Sequence, residues 1–127
     1  MRVLIVEDEE SRLRWFRANL IGSVVDETKL VGKAIELLQE NDYGQIFLDH
    51  DLKYEHYATN ERDDENTGYA VAQFLADRPD LSPNAQIIVH SLNPSGSHRM
   101  ICELHRGRRN YRKIPFIQLK EIAKPNR

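Results

Sequence analysis

Short apolar runs alternate with amphipathic stretches along this chain. Val3-Leu4-Ile5-Val6, Ile46-Phe47-Leu48 and Ile87-Ile88-Val89 contain no polar residue, the pattern of strands covered on both faces. Val24-Val25 is a weaker second strand, and Ile114 to Leu119 reads as the last strand, or as a strand with a turn. Between these runs the spacing becomes helical. From Ser11 onward, Leu13, Phe16 and Leu20 recur at intervals of three and four, with Trp15 covering the edge of that helix. Val31 to Glu40 places Val31, Ala34, Ile35 and Leu38 on one face. Gly68 to Arg78 turns Tyr69, Ala72 and Leu75 or Phe74 toward the sheet. Ser97 is read as the cap of a helix carrying Met100, Ile101 and Leu104, with Cys102 as a small buried filler and Gly107 as its stop. Lys120 to Arg127 is a very short final helix or a frayed end.

About five alternations with short connections imply a parallel sheet covered on both faces by right-handed crossovers. The count and length fit one domain over residues 1–127: a flavodoxin-like three-layer α/β sandwich with a five-stranded parallel sheet in the order 2-1-3-4-5. That order sets strands one, three and four side by side. Glu7-Asp8, Asp49-His50-Asp51 and His90-Ser91 then meet on the carboxyl rim, where open parallel sheets gather their ligands. One connection is long. Lys53 to Thr67 has almost no aliphatic residue and includes Tyr54, His56 and Tyr57, and is expected to be mobile or to order around a ligand.

Composition excludes some classes. No apolar run is long enough to cross a bilayer, and the first residues lack the features of a signal peptide. Cys102 is the single cysteine, so no internal disulfide can form and a reducing cytoplasm is the default. The formal net charge is -2, but its distribution is uneven. Asp49 to Thr67 holds seven acidic residues against two basic ones, whereas His98 to Arg127 holds nine basic against two acidic. The second block suits a phosphate or a nucleic acid, or is a solvated tail.

At the rim two carboxylates flank an imidazole. Asp49, His50 and Asp51 would be expensive to bury without partners, so they face solvent, a metal or a substrate, or else form a turn that stops the strand. His90 has the same pair of readings, as a site residue or as a satisfied histidine of the sheet rim. Asn93 and Ser95 are common turn residues, with Pro94 and Gly96 setting the backbone, and His98 and His105 read as surface residues of a helix.

Val3-Leu4-Ile5-Val6-Glu7-Asp8-Glu9 resembles the opening of response-regulator (CheY-like) receiver domains, where an acidic pair after the first strand holds a divalent metal. Asp49 sits where that family has its phosphoacceptor, and Ser91 matches the hydroxyl residue at the end of the fourth strand. The chain departs from the standard pattern in several places. His50-Asp51-Leu52-Lys53 replaces the usual apolar residue and proline turn, and Lys113 stands one position out of place before Ile114-Pro115-Phe116. A clear full-length fifth helix is also missing. Leu48-Asp49-His50-Asp51-Leu52, Thr67-Gly68 and Val89-His90-Ser91-Leu92-Asn93-Pro94-Ser95-Gly96 are similar to a divergent branch, the cyclic-phosphate processing receiver domains. The resemblance implies action on cyclic phosphates of nucleotides or RNA ends. His50 and His90 become the catalytic pair, with Asp51 beside them, and Ser91, Asn93 and Gly96 contact the phosphate. In an alternative reading the same acids, Glu7, Asp8 and Asp49, hold Mg²⁺ or Mn²⁺ and the histidines assist.

Opening a cyclic phosphodiester needs a base for water and an acid for the departing ribose oxygen, and histidine serves both near neutrality. Carboxylates beside an imidazole orient it and favour its protonated form, which casts His50 as acid and His90 as base. Three function classes follow: a small phosphoesterase for a cyclic phosphate, a receiver phosphorylated on Asp49 by a histidine kinase, and a degenerate receiver acting as a protein-binding adaptor. The expected partners are a phosphate-containing small molecule or a nucleic-acid end, or a kinase or other protein. Neither a membrane nor a DNA-binding output domain is expected.

Overall fold

The apolar runs become the strands of one parallel sheet, and the amphipathic stretches become its covering helices. The structure, a computed structural model, describes residues 1–52 and 67–123. The strands are β1 (Arg2–Val6), β2 (Val24–Thr28), β3 (Gln45–Leu48), β4 (Gln86–Val89) and β5 (Asn110–Lys113). The helices are α1 (Glu10–Asn19), α2 (Val31–Glu40), α3 (Gly68–Asp77), α4 (Pro94–Arg106) and α5 (Phe116–Ala123). All strand pairs are parallel, in the order β2-β1-β3-β4-β5, which is the flavodoxin-like arrangement.

Successive strand residues point to opposite faces, and this parity divides the core in two. Leu4, Val6, Ile46, Leu48, Ile87 and Val89 face α2, α3 and α4. Val3, Ile5, Phe47 and Ile88 face Leu13 and Phe16 of α1, together with Ile114, Phe116 and Leu119. Val6 is level with Thr28 and Leu48, Leu48 with Val89, and Val89 with Lys113. The backbone ladder runs one residue further: the N–H groups of Glu7, Asp49, His90 and Ile114 donate to Thr28, Val6, Leu48 and Val89 at 3.0–3.1 Å. Four residues from four strand ends therefore stand at one height.

Several local expectations are corrected. The last strand is Asn110–Lys113, not Ile114 to Leu119, and Phe116 opens a helix. A sheet edge tolerates a polar strand, while Pro115 has no N–H for a ladder and its fixed φ suits a helix entry. Asn93, not Ser97, caps α4: its side chain accepts from the Gly96 N–H, with Pro94 opening the helix. Ser97 is buried inside α4 and donates its hydroxyl to the Ser91 carbonyl at 3.2 Å. Cys102 is exposed, because it lies two residues from both Met100 and Leu104 and so falls off the stripe they form. On α3 the buried side chains are Val71, Ala72, Leu75 and Ala76, while Tyr69 and Phe74 are only partly covered. The expected mobile loop, with Tyr54, His56 and Tyr57, lies outside the described residues except for Thr67. Among the described residues no helix is long and apolar enough to cross a membrane.

Candidate functional site

The common height of the strand ends brings Glu7, Asp49 and His90 together. Each offers a ligand atom, and these atoms lie within 4.8 Å of one another. Glu7 is fully buried. One of its carboxylate oxygens accepts the N–H groups of Asp8 and Glu9 at 3.0 and 3.1 Å, and the other stands 2.9 Å from His90 Nε2. Strand parity turns His90 toward α1 and α5. Its ring is enclosed by Phe16, Phe47 and Phe116, with ring centres at 5.4, 6.4 and 6.3 Å. His90 Nδ1 has no hydrogen-bond partner among the described residues.

These contacts decide the charge states. Burial pushes Glu7 up, but the His90 hydrogen bond, the Glu9 N–H and the Arg12 charge outweigh it and hold the carboxyl below its ordinary value. Burial lowers His90 more than Glu7 raises it. A neutral ring donating from Nε2 to an ionised Glu7 satisfies both, and a charged ring would leave an N–H unpaired among phenylalanines. Asp49 behaves differently. Burial, with the charge of Glu7 added, pushes it up to about 8, and Arg12 acts in the opposite direction. Two buried carboxylates forced together are a setting that a divalent cation relieves. Glu7 and Asp49, with Asp8 at the cleft mouth, form an oxygen donor set that fits a hard ion such as Mg²⁺ or Mn²⁺, while His90 Nε2 is engaged by Glu7.

His50 is one residue beyond Asp49 and faces the other side of the sheet. Its ring is nearly enclosed and packs against the first turn of α4. His50 Nδ1 lies 2.8 Å from Asp51 Oδ1, and the Asn93 amide nitrogen stands 3.3 Å from that same carboxylate oxygen. Two glycines make this packing possible. A Cβ on Gly96 would meet the His50 ring at 2.6 Å, and one on Gly68 would meet the Asp49 carbonyl at 1.9 Å. The Gly68 N–H donates to the His50 carbonyl at 2.8 Å, which ties α3 to the rim.

Above these groups opens a cleft of about 290 Å³, lined by Asp8, Glu9, Arg12, Asp49, Asp51, Ser91, Leu92 and Asn93. The sequence brings most of its candidates here: Asp8, Asp49, Asp51, Ser91 and Asn93 line the cleft, with Glu7 directly behind. The two histidines do not form its wall. His90 reaches the cleft only through Glu7 and Asp49, and His50 through Asp51 and Asn93. Gly96, expected as a phosphate contact, gives its N–H to Asn93 Oδ1 at 3.0 Å and serves to leave room for His50. Arg12 escaped the sequence reading. It is the cleft's only basic side chain among the described residues, delivered by the first turn of α1, and a basic residue there looks like any solvated helix residue. The ladder position on β5 level with Asp49 and His90 holds the buried Ile114, and Lys113 is exposed.

A parallel sheet in this order, with an acidic pocket at its carboxyl rim, defines a receiver-type domain. Solved structures agree on the fold. A receiver domain from Methylobacillus flagellatus described as CheY-like is 18% identical, with a TM-score of 0.65 over 98% of this chain and 96% of that one. The signal receiver domain of a putative Luxo repressor protein from Vibrio parahaemolyticus is 18% identical, with a TM-score of 0.63 over 96% and 85%. A response regulator from Burkholderia pseudomallei, solved with a phosphorylated aspartic acid, a calcium ion and citrate, is 19% identical, with a TM-score of 0.62. That match covers 96% of this chain and 64% of the other. No curated protein matches. The family model of the cyclic-phosphate processing receiver domain matches residues 2–106, and the chain belongs to that family.

Proposed function

We propose that this chain binds a cyclic phosphate ester, of nucleotide or RNA-end type, in the rim cleft and opens it with water. The observation that carries the reading is the convergence of Asp8, Asp49, Asp51, Arg12, Ser91 and Asn93 on one small polar cleft, with Glu7 behind it, in a chain of this family. A divalent cation held by Glu7, Asp8 and Asp49 would offset the phosphate's charge and assist water activation. The chain's own groups supply the rest. Water adds to phosphorus, the ring P–O bond breaks, and the freed ribose oxygen takes a proton. Asp51, which lines the cleft 2.8 Å from His50 Nδ1, relays that proton from the imidazole. Asp49, which lines the cleft, accepts the proton of water, with Glu7 and its His90 Nε2–H partner directly behind it, so that His90 acts as a positioning residue. With no described helix suited to a membrane, a cytoplasmic setting suits this chemistry.

The test is turnover on a panel of 2′,3′-cyclic and other cyclic nucleotides, with Mg²⁺, Mn²⁺ or chelator. Turnover is expected with metal, and is expected to fall about 100-fold or more for His50→Ala and Asp49→Asn, in the range of a lost general acid. Failure of the whole panel, or full activity in both variants, would refute the reading. A second reading keeps the same cleft. Asp49 lies on it, as a phosphoacceptor must, and a histidine kinase would then be the partner. An acid-labile phosphoryl group on Asp49 after incubation with acetyl phosphate, without cyclic-nucleotide turnover, would favour that alternative.

A further inference from the structure

We propose that Arg12 is the phosphate receiver of the rim cleft, and that it is freed for the anion when a cation takes the neighbouring carboxylates. The inference rests on the reading of this cleft as a phosphate site. Arg12 is half-committed to three acids at once: Nη1 is 3.5 Å from Glu7 Oε1 and 3.8 Å from Asp49 Oδ2, and Nε is 3.5 Å from Glu9 Oε2. None of these is a short ion pair. Other arginines of the chain close theirs tightly, at 2.8 Å for Arg17–Glu10, 2.9 Å for Arg78–Asp80 and 2.8 Å for Arg106–Asp77. Those pairs lie at the surface, whereas the Arg12 side chain is only 17% exposed.

An aromatic face holds Arg12 in addition to these long carboxylate contacts. Its guanidinium lies 5.3 Å from the centre of the Phe116 ring, and its backbone is anchored in the first turn of α1 by a bond to the Glu9 carbonyl. The fork is thus positioned at the cleft wall with its donors under-used, the geometry for a bidentate grip on two phosphate oxygens. The rest of the lining explains the coupling. Among the described residues, Asp8, Glu9 and Asp51 face the cleft against this one cation, so a bare phosphate meets net repulsion. A divalent ion on Glu7, Asp8 and Asp49 removes that repulsion and also removes the acids that share Arg12. Cation and phosphate then bind cooperatively.

This gives Arg12→Ala two effects of opposite sign, which a merely structural residue would not show. Calorimetric titration of the full chain with Mg²⁺ alone, then with inorganic phosphate at saturating Mg²⁺, reads both. Arg12→Ala is expected to weaken phosphate about 10- to 100-fold, the worth of charge-assisted hydrogen bonds. It is also expected to tighten Mg²⁺, because a competing positive charge is gone. Arg12→Lys is expected to recover part of the phosphate affinity. Unchanged phosphate binding in Arg12→Ala would overturn the assignment, as would parallel loss of Mg²⁺, phosphate and melting temperature. Wild-type protein that binds Mg²⁺ but no phosphate would instead refute the phosphate reading of the cleft, and the inference with it.

Discussion

Asp49 is a buried carboxyl beside a second one, and its titration has a definite sign. Its folded-state value is pushed up to about 8 from an ordinary 3.8. Between those values the folded chain keeps a proton that the unfolded chain has released. Stability from this group is therefore full in acid and lost as pH rises through the folded value. In chelator, the melting temperature is expected to fall from about pH 5 to 8 on this account. Asp49→Asn is expected to flatten that slope, and an unchanged slope in the variant would show that Asp49 is not the group responsible. The chemistry-bearing residues were legible in the sequence because each follows an apolar strand run. Their depth and facing were not. His50 and His90 look equivalent as letters, yet ladder parity sets His90 beside Asp49 on the α1 side and His50 against α4. Arg12 gave no signal, since only the position of α1 over the rim gives it a role.

Among the elements, α4 shows how a local rule can be overruled by packing. Alanine is a better helix former than glycine by about 1 kcal/mol in a helix interior. At Gly96, however, a Cβ would lie 2.6 Å from the His50 ring. Overpacking costs typically about 1–3 kcal/mol and outweighs the propensity gain. Gly96→Ala is therefore expected to lower the denaturant midpoint and to displace His50, where propensity alone predicts a gain. Asn93→Ala removes the cap of the same helix and is expected to cost about 1 kcal/mol in urea unfolding. Sequence alone misplaces the start of α4 because Ser97 and Asn93 are both capping residues, and only Pro94 after Asn93 separates them. The last strand was misplaced for a related reason. Hydrophobicity points to Ile114 to Leu119, but an edge strand does not need it, and that apolar stretch instead supplies Ile114, Phe116 and Leu119 to the layer under the sheet. Gly107 was read as a helix stop, and it also lets α4 approach α3, where a Cβ would meet Ala76 Cα at 2.4 Å.

For the molecule as a whole, topology does most of the work of building the site. The order β2-β1-β3-β4-β5 makes neighbours of three strand ends that are 42 and 41 residues apart in sequence, at Glu7, Asp49 and His90. That order was legible from the alternation and from the uninterrupted apolar runs of β1, β3 and β4. The same arrangement predicts a gradient of local stability. Amides of β1, β3 and β4 are paired and covered on both faces, while β2 and β5 are edge strands with partly exposed residues. Hydrogen exchange is expected to be slowest in the central three strands. Equal protection in β5 would contradict the described sheet. The most direct test of the functional account is phosphorus NMR of a 2′,3′-cyclic nucleotide incubated with the chain and Mg²⁺. The cyclic-phosphate resonance is expected to be replaced by that of a phosphate monoester, and chelator or His50→Ala is expected to stop the conversion. A cyclic-phosphate resonance that persists unchanged under all metals tried would contradict it.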